Sequence, residues 1–139
     1  MGNLLPGITI KNDEADNPHM RNYSITEDLM PAGFSRFVVR PHVKIEQTPE
    51  FMRLNKKGQI LVLDLAAIEG VTYIGVSEKS VTVEKRRNVK WTGLQPRILA
   101  AIGKCFDYPA ASVSVTNSTD ERNYQFGTLE DYLPKENRA

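Results

Sequence analysis

The side chains best suited to nucleophilic or metal chemistry are few and widely separated in this chain. It contains one cysteine, Cys105, and two histidines, His19 and His42. A zinc site needs a set of Cys, His or carboxylate ligands held close together. The histidines lie in turn or loop sequence without such ligands at the right spacing, and the acids just before His19 are expected to be solvated. We therefore predict no metal site.

Cys105 is predicted to be a packing residue. Free cysteines are among the most buried residue types, and a catalytic thiol needs a neighbouring base or a helix N-terminus. Cys105 instead falls at the C-terminal end of a predicted helix, where the dipole disfavours a thiolate. The alternative is a nucleophile or a metal ligand. A single cysteine also excludes a disulfide within the chain.

Motifs that would indicate catalysis are missing from the sequence. It has no G-x-S-x-G elbow, no phosphate-binding glycine loop and no dinucleotide fingerprint after a strand. The adjacent acids Glu27-Asp28 and Glu130-Asp131 would point to different faces of regular structure, so neither pair suggests a general acid and base. The sequence predicts a protein that is not an enzyme, with no catalytic residue and no cofactor.

The one dense basic cluster consists of Lys85, Arg86, Arg87 and Lys90, beside the single tryptophan, Trp91. It could dock an acidic protein partner or a nucleic-acid backbone. Alternatively, it is a solvated strand end that protects a sheet edge. The formal net charge of +1 favours the solvated strand end and makes nucleic acid an unlikely partner. Trp91 is expected to anchor the last long helix to the sheet.

The composition fits one small globular domain. The chain has 139 residues, of which 40% are hydrophobic and 25% charged, enough for a single core. No apolar run approaches the length that spans a bilayer, and the N-terminus lacks the basic start and long apolar segment of a secretory signal. We expect a protein of the cytoplasm, or of another reducing intracellular compartment, without membrane contact.

Alternating residues predict strands in the first part of the chain. Residues 20–26 alternate, with Tyr23 and Ile25 facing the core, and 36–40 forms a second strand that ends before a proline. The chain before these strands is predicted to be mostly a tail, with a short strand at 7–11 as the alternative.

Two predicted helices follow in the middle of the chain. The sequence at 48–50, Thr-Pro-Glu, has the residue types of a helix start. We predict a short helix there, a break at Gly58 and a longer buried helix over 59–69, with one kinked helix as the alternative. Gly70 then stands where a left-handed cap is needed.

A hairpin and a last long helix complete the pattern. The β-branched runs 71–77 and 80–87 predict the hairpin, and Glu78-Lys79 fits a two-residue turn so poorly that a longer turn is expected. The helix over 91–106 begins with Thr92 and Gln95 at capping-box spacing.

Together these elements predict an α+β fold, with a mostly antiparallel sheet of about four strands and helices packed on one face. The core should bring apolar side chains of the helices against those of the strands. These are Leu61, Leu65, Ile68, Leu94, Ile98 and Ile102 from the helices, and Tyr23, Ile25, Val81 and Val83 from the strands.

Three stretches carry a resemblance to a known family. The helix end Ile68-Glu69-Gly70-Val71, the hairpin ending in SVTVEK, and W-x-x-L-x-P-x-I-L-A-A-I resemble the N-terminal domain of the Nfu (NifU-like) scaffold proteins of iron–sulfur cluster assembly. Asn17-Pro18 is similar to an early Asn-Pro of that family. The resemblance divides the chain into a flexible tail at 1–16, this domain at 17–108 and a partly ordered extension at 109–139. The residues of the extension predict a strand at 112–115, a second candidate strand at 122–126 and a single helical turn at 129–133.

The resemblance implies partner docking rather than cluster chemistry. In the family, cluster binding belongs to a separate domain with a Cys-x-x-Cys pair, since a cluster needs several thiolates. One cysteine cannot supply them, although a site shared between subunits through Cys105 stays open. The implied function is a non-enzymatic interaction module that supports iron–sulfur cluster assembly or delivery by binding another protein. The alternatives are an accessory or structural subunit of a larger assembly that reuses this fold and, less favoured, a nucleic-acid-binding accessory protein.

Overall fold

The computed structural model describes residues 6–12, 17–30, 37–39, 49–106, 108–117 and 125–133. No helix within these ranges has the length and apolar character needed to cross a membrane. The elements follow one another as β1 (Gly7–Asn12), β2 (Met20–Ile25), β3 (Phe37–Val39), α1 (Pro49–Met52), α2 (Lys56–Ala66), β4 (Val71–Ser77), β5 (Ser80–Lys85), α3 (Trp91–Gly103), a 3-10 turn (Ala110–Ser112), β6 (Ser114–Asn117), β7 (Gln125–Thr128) and α4 (Leu129–Tyr132).

The described strands form one mixed sheet in the order β3-β4-β5-β2-β1-β6-β7. Neighbouring strands are antiparallel except β1 and β6, which run parallel. The predicted α+β class is confirmed, but the predicted number of about four strands is wrong because the described sheet has seven. The additional strands are β1, β6 and β7, which come from the stretches expected to be tail and extension.

Strand β1 lies inside the sheet because its alternation places two isoleucines on the apolar face. Ile10 is fully buried and Ile8 nearly so. Ile10 stands opposite Tyr23 of β2, and on the other side Ile8 is level with Val115 of β6. The short strand suggested for residues 7–11 is confirmed, and this part of the predicted tail belongs to the sheet.

A row of apolar side chains crosses the four middle strands and forms the base of the core. Ile10, Tyr23, Val81 and Val76 are paired in register from β1 to β4, and each is fully buried. Of the ten core residues predicted from the sequence, nine are buried, and Ile68 is partly buried and packs against the core. Helices α2 and α3 contribute their buried side chains to this same cluster.

The break between α1 and α2 lies before Gly58 rather than at it. Helix α1 begins at Pro49, as predicted, but α2 begins at Lys56, so Gly58 lies in its first turn. A Cβ atom at Gly58 would lie 2.2 Å from the carbonyl oxygen of Leu29. The same oxygen accepts a hydrogen bond of 2.9 Å from the amide of Asn55. The glycine therefore allows α2 to approach the chain after β2, and it does not end a helix.

Gly70 has the left-handed conformation expected of it, with a φ of 101°. Helix α2 ends at Ala66, earlier than predicted, so Gly70 lies in the connection to β4 rather than directly at the helix end. The cap predicted at Thr48 lies outside the described residues.

The hairpin of β4 and β5 has a two-residue turn, so the prediction of a longer turn is wrong. Ser77 pairs directly with Ser80. The carbonyls of Glu78 and Lys79 accept hydrogen bonds of 2.8 Å from backbone amides at and after the end of β2. These bonds from a neighbouring segment stabilise a turn whose own residues fit it poorly.

The chain after α3 adds the two candidate strands and the helical turn predicted for it. They are β6, β7 and α4. Thr128 and Asp131 form a capping box at the start of α4, where the backbone amide of Thr128 donates to Asp131 Oδ2 at 2.9 Å. The 3-10 turn and α4 lie together beyond the C-terminal end of α3.

Candidate partner-binding surface

The predicted basic cluster consists of one buried lysine and three exposed cations. Lys85 ends β5 and is only 8% exposed. Its Nζ donates to the carbonyl of Arg86 at 3.3 Å and lies 3.4 Å from His19 Nδ1. Arg86, Arg87 and Lys90 are exposed. Lys85 is therefore not part of a solvated strand end, whereas the other three side chains are solvated.

Trp91 anchors the start of α3 to the sheet, as predicted. Its Nε1 donates to the carbonyl of Pro18 at 2.9 Å, just before β2. The Arg21 guanidinium lies over the indole ring, 4.6 Å from the ring centroid, and Lys85 Nζ lies 5.8 Å from it. A cation over an indole contributes about 0.5–2 kcal/mol, more when it is desolvated. We call Arg21, Lys85 and Trp91 the Trp91 cluster.

Arg21 also takes part in a polar network that reaches into the core. Gln95 Oε1 accepts hydrogen bonds from Arg21 Nη1 at 2.7 Å and from the Tyr23 hydroxyl at 3.1 Å. Tyr23 is fully buried and Gln95 is 9% exposed. Burial lowers the pKa of Arg21 and raises the pKa of Tyr23 well above its ordinary value of 10.0. The phenol therefore stays neutral and acts as a donor.

The capping box predicted for α3 is wrong. Helix α3 begins at Trp91, and Lys90 occupies the cap position without a side-chain hydrogen bond to the backbone. Because the cap is Lys90, the residue three positions on is Gly93, so Gln95 lies too far into the helix for a capping box. Its carbonyl oxygen accepts hydrogen bonds from two donors of β2. Thr92 is exposed.

The three exposed cations sit on the turn between β5 and α3, and we call them the basic patch. The amide of Arg86 donates to the Gly70 carbonyl at 2.8 Å, which fixes the beginning of the turn. In the part of the chain that the structure describes, none of Arg86, Arg87 and Lys90 forms an ion pair. The first turn of α3 has no acidic residue, so the helix dipole adds to the positive potential here. Such a surface favours carboxylates or phosphates.

Cys105 is a packing residue, as predicted. It is 3% exposed, and its Sγ lies 3.9 Å from the carbonyl oxygen of Lys57. Burial raises the pKa of the thiol to about 11, so it is protonated at neutral pH. Among the residues described, no three His, Cys, Asp or Glu side chains come together in a way that could hold a metal ion, and His42 lies outside them.

A concave surface lies at the other end of α3, and no pattern in the sequence predicted it. It is an open groove of about 730 Å³ between α2, α3 and the C-terminal elements. Ile68, Ala101 and Leu129 contribute to its apolar lining, and Asp64 and Lys104 on its rim pair at 3.3 Å. The groove depends on α4 packing against α3, which no local pattern predicts.

Three residues in or next to the Trp91 cluster were not predicted from the sequence, namely Arg21, Gln95 and His19. Pairing of β2 with β5 brings Arg21 and His19 to Lys85, because Arg21 stands opposite Val83 and the His19 carbonyl accepts a hydrogen bond from the Lys85 amide. Gln95 comes instead from α3. One signal was available. Arg21 alternates onto the same face as Tyr23, and an arginine on the core face of a strand needs partners.

The chain is similar to known proteins over most of this fold. Residues 10–108 match the family described as "Scaffold protein Nfu/NifU N terminal", and they include both the Trp91 cluster and the basic patch. None of the curated proteins compared with the chain matches it.

Two solved structures resemble this one. A Staphylococcus aureus protein solved by crystallography has a TM-score of 0.50 and 18% identity, over 68% of this chain and 96% of its own. The solution structure of a NifU-like protein from Saccharomyces cerevisiae has a TM-score of 0.53 and 21% identity, over 75% of this chain and 82% of its own. At these identities the likeness is one of fold.

Proposed function

The chain belongs to the Nfu/NifU scaffold family through that family's N-terminal domain, and we propose that it is a non-enzymatic interaction module supporting iron–sulfur cluster assembly or delivery. Membership supports a scaffold-type role in iron–sulfur assembly, in a family that is generally not catalytic. The module acts by binding another protein, in the cytoplasm or another reducing compartment.

The observation that carries the docking role is the basic patch next to a rigidly held tryptophan. Arginine and tryptophan are the residue types that contribute most often to binding energy at protein interfaces. Trp91 is fixed by its hydrogen bond to Pro18 and by the cation above its ring. A surface that is ordered before binding loses little conformational entropy when the partner arrives.

In this proposal the partner holds the iron–sulfur cluster. A four-thiolate site needs several cysteines, and this chain has one. A site shared between subunits through Cys105 would need that thiol at the surface as a thiolate. Cys105 is buried, and burial keeps the pKa of its thiol high.

Affinity purification from native cells tests this function. The tagged chain, expressed at its natural level, is compared by quantitative mass spectrometry with untagged cells. We expect enrichment of proteins that build, carry or receive iron–sulfur clusters. Enrichment of none of them, while other proteins are recovered reproducibly, would contradict the proposal.

The second candidate is an accessory subunit of a larger assembly. The groove favours it, because part of its wall is formed by Leu129 and Leu133, which lie outside the family match. In that case the same purification recovers a stoichiometric complex without cluster proteins, and size-exclusion chromatography of cell extract places the chain in a large particle. Nucleic-acid binding remains the less favoured alternative.

A further inference from the structure

We infer that the basic patch, with the Trp91 cluster behind it, binds an acidic segment of a partner protein, a stretch rich in Asp and Glu. This inference rests on the proposed function, since it names the chemistry of the partner that the module docks.

The first argument is that, among the described residues, the basic patch and the Trp91 cluster take part in no ion pair. Ion pairs in the described chain lie elsewhere, joining Lys57 to Glu27, Lys79 to Asp28 and Lys104 to Asp64. None of them involves the basic patch or the Trp91 cluster. Exposed cations that form no ion pair create a positive potential that favours an external anion.

The second argument is the rigidity of the region behind the patch. Arg21 and Lys85 are held on Trp91 by contacts of 4.6 and 5.8 Å, and Lys85 is almost fully buried. Their charges act in a partly desolvated environment, where a field is screened less than at an open surface. They therefore add to the potential of the exposed patch without being free to fold away from it.

The third argument concerns the size of the ligand. A nucleic-acid backbone bound at useful affinity engages about 6–10 phosphates and buries about 1,000 Å² or more of protein. Three exposed cations on one turn are too few for that. A short acidic peptide fits, with arginine forks pairing with carboxylates.

The only tryptophan of the chain provides the reporter. The purified full chain is titrated with a synthetic peptide of alternating Glu and Ser while Trp91 fluorescence is recorded. Two matched probes are the same peptide with Gln for Glu and a single-stranded oligothymidine of equal charge. We expect a saturable change with the Glu peptide that weakens as salt is raised, and little change with either matched probe.

A charge-reversal pair identifies the surface. Arg86→Glu, Arg87→Glu and Lys90→Glu are combined in one variant. The control variant combines Arg53→Glu, Lys56→Glu and Arg97→Glu, which alter three exposed cations elsewhere and change the net charge equally. Circular dichroism verifies that both variants are folded. The patch variant should bind the Glu peptide about tenfold or more weakly than the control variant.

The outcomes separate this inference from the proposed function. Equal binding by the two variants, no response to the Glu peptide, or a stronger response to the oligothymidine overturns the inference. The purification from native cells is repeated with the patch variant. Recovery of iron–sulfur proteins that is undiminished overturns the inference but leaves the proposed function intact. Selective binding of the Glu peptide by the patch, with no iron–sulfur protein recovered, supports the inference and contradicts the proposed function.

Discussion

Replacing Gln95 by leucine should destabilise the fold more than removing the hydroxyl of Tyr23. Gln95→Leu preserves approximate size but removes the acceptor shared by Arg21 Nη1 and the Tyr23 hydroxyl. Tyr23 is fully buried, so its hydroxyl would have no alternative in water. An unsatisfied buried polar group costs about 1–3 kcal/mol. Arg21 is half-buried and can recover part of its hydration, so we expect a total loss of about 2–3 kcal/mol in the free energy of unfolding.

Tyr23→Phe is the matched variant, because it removes one donor and leaves none orphaned. Gln95 still accepts the bond from Arg21, so the expected loss is only about 0.5–1.5 kcal/mol. In the double variant, Gln95→Leu no longer leaves a buried hydroxyl unsatisfied. The double variant should therefore lose about 1 kcal/mol less stability than the sum of the losses in the two single variants.

Urea unfolding near pH 7, followed by far-ultraviolet circular dichroism, measures the three costs and the coupling between them. The slope of free energy against urea should be unchanged, since none of the variants alters the surface exposed on unfolding. A Gln95→Leu variant that is no less stable than Tyr23→Phe, or strictly additive costs, would refute the reasoning. The network would then not be a shared-acceptor site.

The remaining predictions concern two glycines and the thiol. Gly70→Ala should destabilise by about 1–2 kcal/mol, because φ is 101° and the new Cβ would lie 3.3 Å from a methyl of Val89. Gly93→Ala, in the first turn of α3 with open space around it, should instead stabilise by about 0.5–1 kcal/mol. Thermal unfolding of both variants measures the two changes in stability, and changes in the same direction would contradict the reasoning. Cys105 should react with iodoacetamide near pH 8 far more slowly in the native protein than in urea, and equal rates would show that the thiol is accessible. Burial raises the pKa of Cys105 from 9.0 to about 11, so the contribution of this thiol to stability is complete below pH 9.0 and is lost as pH rises toward 11. Cys105→Ala should therefore flatten the fall of the unfolding free energy between these pH values. An unchanged slope in the variant would contradict this prediction.

Local patterns predicted the elements that turn one apolar face to the core. The alternation of β2, the β-branched hairpin of β4 and β5, and the apolar stripe of α3 each identified the buried face correctly. Periodicity is informative there because the side chains of one face meet a single apolar surface. The family resemblance, carried by the motifs between Leu65 and Phe106, is confirmed by the match over residues 10–108.

The failures occurred where a distant segment decides the role of a residue. Gln95 has capping-box spacing from Thr92, yet the helix begins earlier, at Trp91, and the Gln95 carbonyl accepts hydrogen bonds from two donors on β2. Gly58 has the composition of a break, yet it lies in a helix because the backbone of Leu29 comes too close for any side chain. Neither of these contacting segments, β2 or the backbone of Leu29, can be recognised from the local sequence, since each lies more than two dozen residues away in the chain.

The basic patch and the Trp91 cluster were predicted in part. The charges of the basic patch were visible as a run in the sequence. Sequence alone could not separate Lys85 from its neighbours, because its burial depends on Trp91 and on His19. Arg21 was missed for the same reason.

The parallel pairing of β1 with β6 has a consequence for how the chain matures. A ribosome delivers β1 long before β6, so one side of β1 keeps its backbone N–H and C=O groups unsatisfied until residues 114–117 emerge. An open strand of that kind is a template for aggregation. A polypeptide cut at residue 108, where the family match stops, would keep that side of β1 unpaired permanently. The segment after residue 108 therefore protects the sheet from association with other copies.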